Sequence, residues 1–248
     1  MRRSAWKTCI VVTLVLAGCA SAGGYRSRGP SGGAAVASPQ LFFKPSPVFD
    51  AECANKSGFK VDPAWYPELN RRVPEFQAAW DARAPALIGV SETLAGAKFT
   101  RSEYSVTLTI CRWTPMGYPF IISLRPFLKI SAEADPQIRT PLTMSEFVVL
   151  THHELLHSLT DDIVMSPSFP SPLLLKHQTE RPNVLVHLHL LALQKAAYAK
   201  VGDAELLKNA DALYAYIGND YQRAWDIVAA EGADAFVKEL QDFSGMHR

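Results

Sequence analysis

His153-Glu154-Leu155-Leu156-His157 is the segment whose residue types and spacing are best suited to chemistry. On a helix, residues four apart lie one above the other, so the two imidazoles can converge on a single point. Two imidazole nitrogens at that spacing suit a tetrahedral Zn²⁺, and Glu154 stands where it could reach a water in an open coordination position. Zinc lowers the pKa of such a water towards about 7, which lets a neighbouring carboxylate take its proton and later pass it to a leaving amine. His153 and His157 are therefore candidate zinc ligands, and Glu154 is the candidate general base.

A catalytic zinc wants a third protein ligand. Of the 7 histidines, six fall between residues 152 and 189, which concentrates the search downstream of the motif. Glu180 and His187 are seven apart and would share a face of a helix that begins by residue 179. His187 sits well inside that helix, whereas Glu180 precedes Pro182, so His187 is slightly favoured, with Glu180 the alternative and His189 third. Asp161, one turn beyond His157, is better placed to orient a ligand by a hydrogen bond than to bind the metal. His152 reads as a supporting or core residue and His177 as a loop residue. A donor for a developing oxyanion should also exist. His189, Tyr198 and Arg181 are near in sequence, and nothing selects one of them.

The elements that must hold these residues carry clear signals. Thr143-Met144-Ser145-Glu146 is a capping box, with Leu142 and Phe147 at the positions of a hydrophobic staple. The helix that follows, to about Thr160, is apolar on most sides and so should be buried. Upstream, residues 62–96 read as helical pieces punctuated by Pro67, Pro74 and Pro85. Tyr104, Val106, Leu108 and Ile110 then alternate with polar residues, the pattern of a half-buried strand. Residues 118–124 read as a second strand, and Pro119 suggests that it lies at an edge. Downstream come a Pro- and Ser-rich loop over 166–172, a long helix from 179 or 182 to 200, and helices over 203–217, 219–229 and 232–242. The expected fold is α+β and mostly helical, with a small antiparallel sheet packed on the motif helix and a helical C-terminal half.

An HExxH helix following a small sheet resembles the zincin metallopeptidases. The resemblance covers roughly residues 99–190, and its specific part is the five-residue motif. It implies peptide-bond hydrolysis, a peptide or protein substrate, and alignment of that substrate along residues 118–124. No branch of the family is indicated. Metzincins would have Gly and His where Thr160 and Ile163 stand, gluzincins would follow Glu180 with Asp where Val184 stands, and the Gly-Thr-x-x-x-Asp segment of aspzincins is absent.

The first residues read as an export signal. A basic start and the short apolar run 9–16 lead into Leu16-Ala17-Gly18-Cys19, which resembles the lipobox of bacterial lipoproteins. That resemblance implies a signal peptide over 1–18, cleavage before Cys19, lipid on its thiol, and a membrane partner through that lipid. Ala20, where Asp would retain the protein at the inner membrane, points to the outer membrane of a bacterial envelope. Residues 19–47, rich in Gly, Ser, Ala and Pro, read as a flexible tether, and 48–248 as the folded domain. Cys53 and Cys111 either form a disulfide or are two separate buried thiols. A balance of 25 basic and 24 acidic residues gives no sign of a nucleic-acid partner, and a monomer is expected. The competing reading is a non-enzymatic envelope lipoprotein that binds a partner and uses zinc structurally or not at all.

Overall fold

The computed structural model describes residues 38–111, 115–133, 141–166 and 168–246. The expected signal peptide, Cys19 and the tether up to residue 37 lie outside them. Strand β1 (Gln40–Pro45) opens the fold and corrects the far end of the expected tether. Leu41 and Phe43 are buried and alternate with polar or exposed neighbours, a period-two signal too short to stand out behind a long Gly- and Pro-rich stretch. Helices α1 (Pro47–Ser57), α2 (Tyr66–Asp81) and α3 (Ala84–Ala95) then carry the chain across to β2 (Glu103–Thr109), which pairs parallel with β1. Parallel neighbours require such a crossover. Pro67 and Pro85 occupy first turns, where a missing N–H costs nothing, whereas α2 continues through Pro74. Phe76, Trp80, Ala84, Leu87 and Ile88 are all buried, as their helical spacing predicts.

Two short strands complete the sheet, β3 (Met116–Gly117) and β4 (Phe120–Ser123), in the order β1-β2-β4-β3. Because β4 is parallel to β2 and antiparallel to β3, the sheet is mixed, not antiparallel. Residue patterns carry no strand direction, and here the short β3 reverses the chain so that β4 returns alongside β2. Pro119 stands in the turn before β4, where no ladder donor is needed, so it does not mark an edge. The sheet edge nearest the motif is β3, and β4 lies inside the sheet.

After α4 (Lys129–Glu133) comes the motif helix α5 (Met144–Val164). Its capping box is complete: Glu146 accepts from the Thr143 N–H at 2.6 Å, and the Thr143 hydroxyl accepts from the Glu146 N–H at 3.2 Å. Phe147 anchors one side of α5 in an aromatic cluster, with ring centres 5.3 Å from Phe43, 4.6 Å from Phe76 and 5.8 Å from Phe127. The helical half follows as α6 (Pro172–Lys176), α7 (Pro182–Val201), α8 (Ala204–Ile217), α9 (Asn219–Glu231) and α10 (Ala233–Met246). Helices α7 and α8 cover the other side of α5, which explains why it is apolar nearly all round. Among the described residues no helix is long and apolar enough to cross a membrane.

Two features fasten the sheet. Cys53 of α1 is disulfide-bonded to Cys111 beyond β2, with Cα atoms 6.3 Å apart. Beside it the buried Asp50 carboxylate accepts from Tyr66 Oη at 2.8 Å, from the Ile110 N–H at 3.0 Å and from the Thr109 hydroxyl. The β3–β4 hairpin lies flush against α5 at Gly117, where a Cβ would meet Glu154 O at 2.7 Å and His157 Cβ at 2.8 Å. Gly117→Ala must therefore push the hairpin off the motif helix, and we expect it to lose about 1–3 kcal/mol in chemical denaturation. Gly89, inside α3 with nothing within 4 Å of an added Cβ, supplies the contrast. Gly89→Ala should gain about 0.5–1 kcal/mol.

Candidate metal centre

Helix α5 brings His153 and His157 to one face, and α7 lays His187 against them. The three ring centres form a nearly equilateral triangle with sides of 5.1, 5.2 and 5.3 Å. One ring nitrogen from each lies within 4.8 Å of the other two, so the cluster could hold a metal ion. Inward movements of roughly 1 Å per ring would give the nitrogen spacing of about 3.3 Å that tetrahedral Zn–N bonds near 2.0–2.1 Å require.

The opposite nitrogens are already engaged. His153 Nδ1 lies 3.0 Å from Tyr214 Oη, His157 Nδ1 lies 3.0 Å from Asp161 Oδ1, and His187 Nδ1 donates to the Asn183 carbonyl at 2.6 Å. This leaves Nε2 as the free nitrogen of each ring. His153 Nε2 is buried and has no protein partner, a costly arrangement for an imidazole unless a ligand completes it. Holding Nδ1 so that Nε2 faces inward is also how metal-binding histidines are oriented.

The electrostatics follow from burial. Burial, aided by the nearby His157, His187 and His152, lowers the pKa of His153 far below its usual range, and burial brings His187 down to about 4. For His157 burial also opposes charge, but the Asp161 hydrogen bond and the Glu154 and Asp161 carboxylates outweigh it and raise its pKa. Glu154, 3% exposed, is pushed up to about 8 by burial, with His157 opposing and Asp161 adding.

The other sequence candidates are elsewhere. Glu180 pairs with Arg223 at 2.5–3.0 Å, which holds its pKa below the usual carboxylate range, so it is not in the cluster. His189 points to the far side of α7, where Nε2 meets Glu239 at 2.7 Å between the rings of Phe169 and Phe236. His152 bridges Ser91 and Tyr198, and His177 meets Glu231. Asp161 stands beside His157 as its spacing suggests.

Tyr221, from α9, was not among the candidates. Its ring lies 4.7 Å from His187 and 5.7 Å from His153, and it stacks on Tyr214 at 6.2 Å with planes 6° apart. The turn at Gly218, with φ +148°, a region that favours glycine, lets α8 and α9 present both tyrosines to the same place. Burial pushes the Tyr221 hydroxyl up to about 12, with the Glu154 charge adding, so it remains a donor at neutral pH. A cleft of about 530 Å³ opens beside His157 between β2, the β3–β4 hairpin and α5, lined among others by Arg101, Glu103, Tyr118 and Asp162.

Fold and site together define an α+β protein with a three-histidine cluster fit for a metal ion. No family model, curated protein or solved structure matches the chain.

Two outcomes follow. His187→Ala should abolish stoichiometric binding of a divalent metal ion, while Glu180→Ala and His189→Ala retain it, as read by metal analysis of the purified folded variants. The metal-free protein should also show the burial of Glu154 in its stability. Its pKa rises from 4.5 unfolded to about 8 folded, so the folded state holds the extra proton in that window and stability is lost as pH climbs through it. Glu154→Gln removes this term. Its stability advantage over the parent should open above pH 5 and reach on the order of 4 kcal/mol by pH 8 in urea titrations under chelator.

Proposed function

We propose that this chain is a zinc-dependent peptidase of the zincin type, carried by a lipoprotein of the bacterial envelope. The observation that carries the reading is a buried carboxylate, Glu154, set between two imidazoles of a cluster that, among the described residues, has three ligands and no fourth. A structural zinc site closes with four protein ligands and needs no base, whereas a catalytic site keeps one position open. Bound zinc would supply a Lewis acid that acidifies a water in that position and polarises a scissile carbonyl.

The remaining roles belong to the chain. His153, His157 and His187 would hold the ion, and Asp161 fixes the ring of His157 through Nδ1. Glu154, raised by burial towards neutral pH, is suited to accept a proton from the attacking water and return it to the leaving amine. The Tyr221 hydroxyl is suited to donate to the carbonyl oxygen as it gains charge. The cleft of about 530 Å³ beside His157, walled by the β3–β4 hairpin, is where a peptide substrate would lie. The lipobox at Cys19 supports the envelope location.

Glu154→Gln should retain zinc and lower hydrolysis of a quenched-fluorescent peptide library by at least about 100-fold. Tyr221→Phe should lower kcat by about 100- to 1,000-fold with KM little changed. Undiminished hydrolysis by Glu154→Gln, or a parent protein that holds zinc and cleaves nothing in the library, would favour the non-enzymatic lipoprotein.

A further inference from the structure

Gln194 belongs to none of the roles above, yet it joins the metal cluster to the opposite side of α5. It lies on α7, fully buried. We propose that Gln194 is a positioning residue that sets the tautomers of the adjacent histidines His152 and His153 in opposite senses, and so presents an unprotonated Nε2 of His153 to the metal. The proposal rests on the metal-binding reading of the cluster and is independent of peptide hydrolysis.

Gln194 reaches the Val149 carbonyl at 2.9 Å, and a carbonyl can only accept, so the group facing it is the amide NH₂. That fixes which way the side chain is turned. Its second N–H donates to Tyr198 Oη at 2.7 Å, and its oxygen must face Tyr214. The Tyr214 hydroxyl has one proton, which it donates to Gln194 Oε1. Its oxygen can then only accept at His153, so the proton of that ring is on Nδ1 and the lone pair is on Nε2. Nε2 is the buried atom without a protein partner.

On the other limb the directions reverse. Tyr198 accepts from Gln194, so its own proton goes to His152 Nδ1 at 3.3 Å. The ring proton of His152 is then on Nε2, which donates to Ser91 Oγ at 3.0 Å. One amide, having a donor end and an acceptor end, therefore imposes one tautomer on each of two neighbouring rings. An alternative in which His153 carries its proton on Nε2 would need the Tyr214 proton at His153. That would leave Gln194 Oε1 buried without a donor and turn an N–H towards the metal, and an orphaned buried acceptor is costly.

Long-range ¹H–¹⁵N correlation spectra of metal-free protein labelled at histidine nitrogens read each tautomer directly. In the parent, His153 should be protonated on Nδ1 and His152 on Nε2. Tyr214→Phe removes the hydroxyl that accepts from His153 Nδ1, though not the nearby Gln194 amide, and should redistribute the tautomers of that ring alone; Tyr198→Phe should do so for His152 alone; Gln194→Met should disturb both. Zinc affinity, measured by competition with a chromophoric chelator, should fall about 10- to 100-fold in Tyr214→Phe and Gln194→Met and change little in Tyr198→Phe. A parent with His153 protonated on Nε2 would overturn the proposal, as would folded Tyr214→Phe and Gln194→Met proteins that keep the parental His153 tautomer. Parental tautomers as assigned, in a protein that takes up no zinc, would instead remove the metal reading and leave the proton assignment intact.

Discussion

Three buried polar side chains, His153, Glu154 and His187, and the partly buried His157 meet in one helix–helix contact, and the surrounding structure is arranged to make that burial tolerable. An uncompensated buried polar group costs free energy comparable to the whole margin by which domains are stable. Each imidazole therefore has its outer nitrogen tied: to a tyrosine hydroxyl, to a carboxylate, and to the carbonyl one turn back on its own helix. The inner nitrogens are left for each other's company, which is unfavourable for three rings unless a cation stands between them. Burial also separates the roles. It keeps His153 and His187 neutral and ready to bind, while the same desolvation keeps Glu154 reluctant to ionise.

The fold supplies that environment from both sides of α5. On one side the aromatic cluster around Phe147 and the close seat of Gly117 bring the sheet against the helix, so that the cleft wall and the motif are held in register. On the other, α7, α8 and α9 contribute His187, Tyr214 and Tyr221, with the ion pair of Glu180 and Arg223 tying the start of α7 to α9 at the rim. That pair is exposed and adds little stability by itself. Its value is geometric, since it lies at the end of α9 that carries Tyr221.

The polar chain through Gln194 shows why a helix that is apolar by pattern can nevertheless carry adjacent histidines. His152 and His153 point to different sides of α5, and each finds a tyrosine, Tyr198 or Tyr214, that a single glutamine links. Between His153 Nδ1 and His152 Nε2 every donor in this chain meets an acceptor, and such a chain defines one arrangement, because any change of proton position leaves a buried group unpaired.

The motif, its helix and its cap were readable from the chain alone because they depend on neighbours within one turn. Four-residue spacing aligns His153 with His157, the same spacing brings Asp161 to His157, and Thr143 with Glu146 closes the helix start. The long helix carrying His187 and the three that follow were likewise visible in their periodicity and glycines. Strand direction was not, since alternation is the same read either way, and the mixed sheet depends on a two-residue β3 that leaves almost no pattern. The choice of His187 over Glu180 turned on where α7 begins and on Arg223, 43 residues from Glu180, which takes the carboxylate away. Tyr221, Gln194 and the Cys53–Cys111 bridge were decided by packing between elements far apart in sequence, and such distances have no local signature. The chain by itself determined that two imidazoles and a carboxylate would share a buried helix face; only the tertiary structure decided what would meet them there.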